Sequence, residues 1–152
     1  MTDRPPIRLI LPYPPTINTY YRFAPGDTQP RISPKGRAYQ TRITMLCMRV
    51  KPFRMDERLH MTIGAWVPDK RMRDIDNIEK PLIDSMEKAG IYPNDEQIDV
   101  LSIDRLFSDP IRPGVRFLDG EVYVTIRLAQ DMELRVAAFL EDFGSIKTVD
   151  SL

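Results

Sequence analysis

The sequence predicts an α+β fold, a two-layer sandwich in which a mixed sheet of about four strands carries two to three helices. Three observations predict it. Four short segments alternate apolar and polar residues in the rhythm of a strand. Longer segments repeat apolar residues at helical spacing. The two kinds are interspersed along the chain, with long crossovers linking strand one to two and two to three. The last two strands can form a hairpin.

Residues 7–11 (IRLIL) read as the first strand, and Pro12, Pro14 and Pro15 end it and stiffen the adjoining loop. Residues 16–32 read as an irregular loop, broken at Asn18, Pro25-Gly26 and Pro30. Tyr20, Tyr21, Arg22 and Arg31 interleave aromatic and basic groups there, a mixture that stacks on bases and pairs with phosphates. Packing at the edge of the core explains Tyr20 equally well. Ser33-Pro34 reads as N-cap and first residue of a helix reaching about Val50, with Arg37, Arg42 and Arg49 as its basic side. Residues 58–67 (RLHMTIGAWV) form the second strand, ended by Pro68. Residues 98–107 (IDVLSIDRLF) form a third, although neither of its sides is cleanly apolar. Asp109-Pro110 and Arg112-Pro113-Gly114 mark a loop, and Glu121–Leu128 alternates as the fourth strand with Val122, Val124, Ile126 and Leu128 inward. Residues 130–142 form a last helix with Met132, Val136, Phe139 and Leu140 as its apolar side. The tail from about residue 145 is expected to fray.

A chain of 152 residues has the length of one domain with a real core, and residues 1–152 are read as one. No apolar run approaches membrane-spanning length, and the N-terminus lacks a signal-peptide core. The single cysteine, Cys47, excludes an intrachain disulfide and fits a reducing cytoplasm. One histidine, His60, beside one cysteine argues against a zinc site. Charge is balanced overall but segregated. Residues 1–80 hold 15 basic and 8 acidic side chains, and residues 81–152 hold 7 and 14. Such asymmetry suits a surface that meets a polyanion.

The densest chemistry lies between Pro68 and Gln97. A basic run, Lys70, Arg71 and Arg73, leads into Asp74 and Asp76. If Asp74-Ile75-Asp76 is extended, both carboxylates face one way, so a shared role requires the helix to begin at or after Asp76. Ile75, Ile78, Leu82, Met86 and Ala89 then recur at helical spacing, and Gly90 stops the helix. Lys80 falls one turn after Asp76 on the same face. Pro81 is tolerable only near the first turn or with a kink. The helix carries the chain about 20 Å from Asp76. Asp95 therefore meets the pair only if Ile91-Tyr92-Pro93-Asn94 turns back, or across a dimer. Three carboxylates and a lysine suit a hard divalent cation and a phosphate. Taken singly they have plainer explanations: Asp76 with Glu79 fits a capping box, Asp74 an N-cap, and Lys80 a solvated helix residue.

The joint pattern is more specific. The run from Lys70 to Lys80, then Asp84, Ala89-Gly90 and Asn94-Asp95-Glu96-Gln97, resembles the RusA family of Holliday junction resolvases. Pro14-Pro15-Thr16-Ile17-Asn18-Thr19-Tyr20-Tyr21-Arg22 is similar to that family's opening motif. The resemblance runs from about Ile7 to about Leu128. It implies a Mg2+-dependent endodeoxyribonuclease, with Mn2+ as a substitute, that resolves four-way DNA junctions as a homodimer and leaves 5′-phosphates. It places metal ligands at Asp74, Asp76 and Asp95 and the catalytic lysine at Lys80. Lys70, Arg71, Arg73, Tyr21 and Arg22 are the expected DNA contacts. The implied setting is the cytoplasm, at the nucleoid, with no membrane partner. Two other readings suit the same residues: a DNA-binding dimer that cuts nothing, and a different D-x-D metal enzyme.

Overall fold

The computed structural model describes residues 4–68, 74–106 and 120–143. In chain order the elements are β1 (Ile7–Pro12), α1 (Ile17–Tyr20), β2 (Tyr21–Arg22), β3 (Arg31–Ile32), α2 (Pro34–Cys47), β4 (Leu59–Trp66), α3 (Asp76–Lys88), a 3-10 turn (Asp95–Gln97), β5 (Ile98–Leu106), β6 (Glu121–Leu128) and α4 (Met132–Phe143). The α+β expectation is met, with a mixed four-stranded sheet in the order β1-β6-β4-β5 and a two-stranded ribbon of β2 and β3.

The strand order corrects one expectation. β5 and β6 are not a hairpin: β5 runs parallel to β4, and β6 lies antiparallel between β1 and β4. The apolar pattern explains why. β6 alternates strictly, with Val122, Val124 and Ile126 buried, and β4 buries Leu59, Met61, Ile63, Ala65 and Trp66. Those two strands can be covered by neighbours on both edges. β5 exposes Ser102, Asp104 and Arg105, so it suits an outer edge, reached from β4 through the α3 crossover. Register places Leu9, Val124, Ile63 and Ile103 in one row across the sheet.

The helices cover the face carrying that row. Tyr39, Ile43 and Cys47 of α2 and Ile78, Leu82 and Met86 of α3 join the buried residues of β4 and β6 in one core. α2 starts as the Ser33-Pro34 signal predicts: Ser33 Oγ accepts from the Gly36 N–H at 3.0 Å, and Pro34 occupies the first turn. The helix stops at Cys47, three residues short of the expected end. α4 forms as expected, but its apolar side is not buried: Met132, Val136, Phe139 and Leu140 are exposed. A pair of ions, Arg135 Nη2 and Asp99 Oδ2 at 2.6 Å, ties it to β5.

The segment 16–32 is more regular than a loop. It holds α1 and the β2–β3 ribbon, and Tyr20 is fully buried beneath them. Its hydroxyl meets Ser85 Oγ of α3 at 2.9 Å and accepts from Gln40 Nε2 of α2 at 2.7 Å. α2 approaches so closely that a Cβ on Gly36 would lie 2.6 Å from the Tyr20 carbonyl oxygen.

Tyr20→Phe keeps the ring and removes that hydroxyl. Ser85, which is also fully buried, then loses its partner. The expected cost is about 1–3 kcal/mol, the penalty for an unsatisfied buried polar group. Thermal unfolding should show a Tm several degrees lower; an unchanged Tm would mean that the hydroxyl network contributes nothing to holding the helices.

Candidate active site

The winding of α3 sets the geometry. Ile75 stands at the N-cap with helical dihedrals, φ −66° and ψ −29°. Asp74-Ile75-Asp76 is therefore not extended, and the condition for its two carboxylates to face one way is not met. A turn already begins at Asp74, whose carbonyl accepts the Asn77 N–H at 3.2 Å. No side chain caps the helix, so neither the Asp76–Glu79 capping box nor an Asp74 N-cap forms. The α3 first turn is acidic, with Asp76 and Glu79, as suits the positive end of a helix dipole.

Ile78, Pro81, Leu82, Ile83, Ser85 and Met86 face the interior. That leaves Asp76, Lys80 and Asp84, at successive i,i+4 positions, along the outer side. The Lys80 ammonium reaches forward rather than back: Nζ lies 3.1 Å from Asp84 Oδ1. The second carboxylate oxygen, Oδ2, accepts a short hydrogen bond from the Tyr21 hydroxyl. The Tyr21 ring packs edge-on against Tyr20 at 4.8 Å between centroids. Burial first, and then the hydrogen bond to Asp84, push the Tyr21 hydroxyl far above its ordinary range, so it stays a donor. The two contacts on Asp84 differ in strength. The Lys80 side chain is 56 % exposed, and exposed helical pairs contribute about 0.3–0.5 kcal/mol. A part-buried hydrogen bond to a charged group contributes about 1.5–3 kcal/mol. Tyr21 holds Asp84, and Lys80 is free to exchange that carboxylate for another anion.

The chain does turn back after α3. Gly90, at φ +79°, donates to the Glu87 carbonyl at 2.8 Å and ends the helix. Ile91 and Tyr92 are buried, and the Tyr92 hydroxyl donates to the Ile83 carbonyl at 2.8 Å. Asn94 and Gln97 then form a reciprocal capping box around the 3-10 turn that carries Asp95. This return brings Asp95 against the second half of α3, where its N–H donates to Glu87 Oε2 at 2.9 Å and its carboxylate charge reaches the Tyr21 hydroxyl. Glu87 is eleven residues beyond Asp76, about 16 Å along the helix. Asp74 and Asp76 thus stand at the start of α3 and Asp95 beside its second half, on the side of Asp84 and Glu87. Among the described residues no three Asp, Glu, His or Cys side chains gather as a metal-binding group.

The remaining expected site residues divide. Arg22 is exposed on β2, beside Tyr21. Lys70, Arg71 and Arg73 lie outside the described residues. Asp84, part of the sequence motif but given no role there, is the residue that sequence reasoning missed. Its signal is positional: four residues after Lys80 and eight after Asp76 is one helix face.

A family model described as "Endodeoxyribonuclease RusA" matches residues 12–128. A crossover junction endodeoxyribonuclease of Enterobacteria phage HK97 is 39% identical over 99 residues, 64% of this chain and 81% of the phage protein. The protein of the same description from Shigella sonnei is 37% identical over 94 residues, covering 59% of this chain and 74% of its own. That of Escherichia coli K12 is 35% identical over the same lengths. Among solved structures, the periplasmic domain of Helicobacter pylori MotB overlaps 89% of the chain with 17% identity and a TM-score of 0.40, too low to support an argument.

Double-mutant cycles in thermal unfolding test the ranking of the two Asp84 contacts. The coupling of Tyr21→Phe with Asp84→Asn should exceed that of Lys80→Ala with Asp84→Asn by about 1 kcal/mol or more. The reverse order would make Lys80 the anchor and leave it unavailable to a substrate.

Proposed function

The chain belongs to the RusA family of endodeoxyribonucleases, and on that premise we propose that it resolves four-way DNA junctions by paired phosphodiester hydrolysis. One observation carries the assignment of the site: Asp76 and Lys80 share one exposed face of α3, and helix capping engages neither of them.

Membership of this family implies a divalent metal cofactor. Mg2+, with Mn2+ as a substitute, fits the donor chemistry of Asp74 and Asp76, which are exposed carboxylates at a helix start. Asp95 is the third ligand in this reading. In one chain it lies apart, so a second copy or a DNA-bound rearrangement must bring it in. A homodimer would also match the two-fold symmetry of a junction and provide its two nicks. Bound there, the cation would polarise a phosphoryl oxygen and acidify a water.

Lys80 does the rest of the electrostatic work. Hydrolysis adds water to phosphorus and breaks its bond to the 3′ oxygen, leaving a 3′-hydroxyl and a 5′-phosphate. Negative charge builds on the phosphoryl oxygens as this happens. Lys80 trades its weak pairing with Asp84 for those oxygens, and Tyr21 keeps Asp84 from following. Lys70, Arg71 and Arg73 would bind phosphates without reading sequence, and Arg22 would extend that contact from β2.

The separation of Asp95 from the Asp pair favours a second reading, a junction-binding dimer that cuts nothing. Incubating a labelled four-way junction and a linear duplex with Mg2+ or with EDTA distinguishes the two. Nicks in the junction alone, and only with the metal, support the resolvase; equal binding with and without metal and no cutting support the rival.

Two substitutions test the roles. Asp76→Asn should preserve junction binding and abolish cutting, because the amide keeps the shape but supplies no anionic ligand; cutting at the wild-type rate would remove Asp76 from the metal set. Lys80→Ala should lose roughly 10²–10³-fold in single-turnover rate, the scale for one transition-state donor, whereas Lys80→Arg should keep part of it. Full rescue of Lys80→Ala by excess Mg2+ would show instead that the lysine tunes metal affinity.

A further inference from the structure

We propose that the cleft between α1, the β2–β3 ribbon and Lys80 is a nucleotide subsite. It would receive one unstacked base of the strand being cut and so set which nucleotides at a crossover are cleaved. The inference rests on the junction-nuclease reading and assigns part of its selectivity to residues outside the carboxylate site.

The cleft has a volume of about 720 Å3, within the range of about 300–1,000 Å3 common to small-molecule sites. Asn18, Tyr21, Arg22, Phe23, Pro30 and Lys80 line it. Phe23 is 72% exposed. A single exposed phenylalanine needs no explanation. This one forms part of a concave wall with a second aromatic ring and two cations, and that combination binds unpaired nucleic-acid strands: rings for base faces, cations for the backbone.

The wall is also held in place. Asp27 accepts from the Ala24 N–H at 3.0 Å through one oxygen and from Arg31 Nη2 at 2.7 Å through the other. Gly26, at φ +89°, makes the turn between them. Phe23 therefore sits in a braced hairpin next to Arg22, while Tyr21 is fixed between Tyr20 and Asp84. A ring presented on a rigid support loses little entropy when a base stacks on it.

Lys80 supplies the register. It lines the cleft and also pairs with Asp84 on the α3 face that carries Asp76. A phosphate held by Lys80 thus has its neighbouring nucleoside at the mouth of the cleft. The exposed amide of Asn18 offers both a donor and an acceptor to a base edge, which is the means to prefer one base over another.

The test uses Phe23, which is exposed and is not part of the buried core. Wild type, Phe23→Ala and Phe23→Trp would be assayed on four-way junctions that differ only in the nucleotides at the crossover. Phe23→Ala should lose about 5- to 150-fold in kcat/KM on the preferred junction, the range for one base–aromatic stack, and should flatten the preference. Phe23→Trp should restore both. In parallel, a junction carrying 2-aminopurine at the crossover would be bound without metal, and its fluorescence in wild type and Phe23→Ala should differ. Equal rates, equal preferences and equal fluorescence for wild type and Phe23→Ala would overturn the subsite. A wild-type protein that cuts no junction, yet whose 2-aminopurine signal depends on Phe23, would overturn the nuclease reading and leave the subsite standing.

Discussion

A buried tyrosine hydroxyl sets the positions of three helices. Tyr20 ends α1, and its hydroxyl lies between Gln40 of α2 and Ser85 of α3. None of the three can shift along its axis without leaving a polar group unsatisfied in the core. The consequence appears one residue later. Tyr21 follows Tyr20 into β2 and turns its own hydroxyl to Asp84, the residue just before Ser85. Adjacent pairs thus meet across the fold, one buried and structural, the other half-buried and part of the site. The rigid inner pair explains how an otherwise short N-terminal motif can position a side chain on α3.

The charges around α3 are arranged by strength. Asp84 is anchored by the tyrosine, Asp76 is uncapped, and Lys80 between them holds only an exposed pair. In the proposed reaction an incoming phosphate would compete with a contact of about a few tenths of a kcal/mol, which is small beside the attraction of a polyanionic strand for a basic surface. Asp99 shows the opposite arrangement. Its hydrogen bond to Arg58, with Arg135 on the other oxygen, holds its carboxyl below the usual range. That acid is committed to tying α4 to the sheet. The acids of α3 have no such double pairing with arginine among the described residues, as the role proposed for that face requires.

Local signals are legible in the sequence, and non-local ones are not. Ser33-Pro34, the start of α3 at Asp76, and the strict alternation of Glu121–Leu128 each depend on neighbours within a few residues, and each matches the structure. The expected β5–β6 hairpin fails because adjacency along the chain does not decide sheet order. The ability to be buried on both edges does, and β5 with its polar residues on both sides lacks it. The condition for Asp74 and Asp76 to face one way, an extended segment, is not met, because a turn from Asp74 leads into the helix. The carboxylates stand out in the sequence as candidates, yet their gathering depends on where a returning chain lands, and periodicity says nothing of that. Tyr20 and Tyr21 are indistinguishable by composition. Only the packing of α1 separates a core residue from a candidate site residue.

Pro81 reconciles the helix with the chemistry proposed for its first turn. It is buried at the sixth position of α3, where its missing N–H leaves the Asn77 carbonyl without an i+4 donor. Beyond Pro81 the helix is fixed by Leu82, Ile83, Ser85 and Met86 in the core. Before it, the turn from Asp76 to Lys80 is joined to that body by one hydrogen bond fewer, and only Ile78 is buried among its residues. The acidic turn is therefore held less firmly than the body of α3 that follows Pro81. In the proposed metal site, gathering the separated carboxylates around a cation would use that weaker hold. Pro81 thus divides the part of α3 fixed in the core from the part to which the proposed chemistry is assigned.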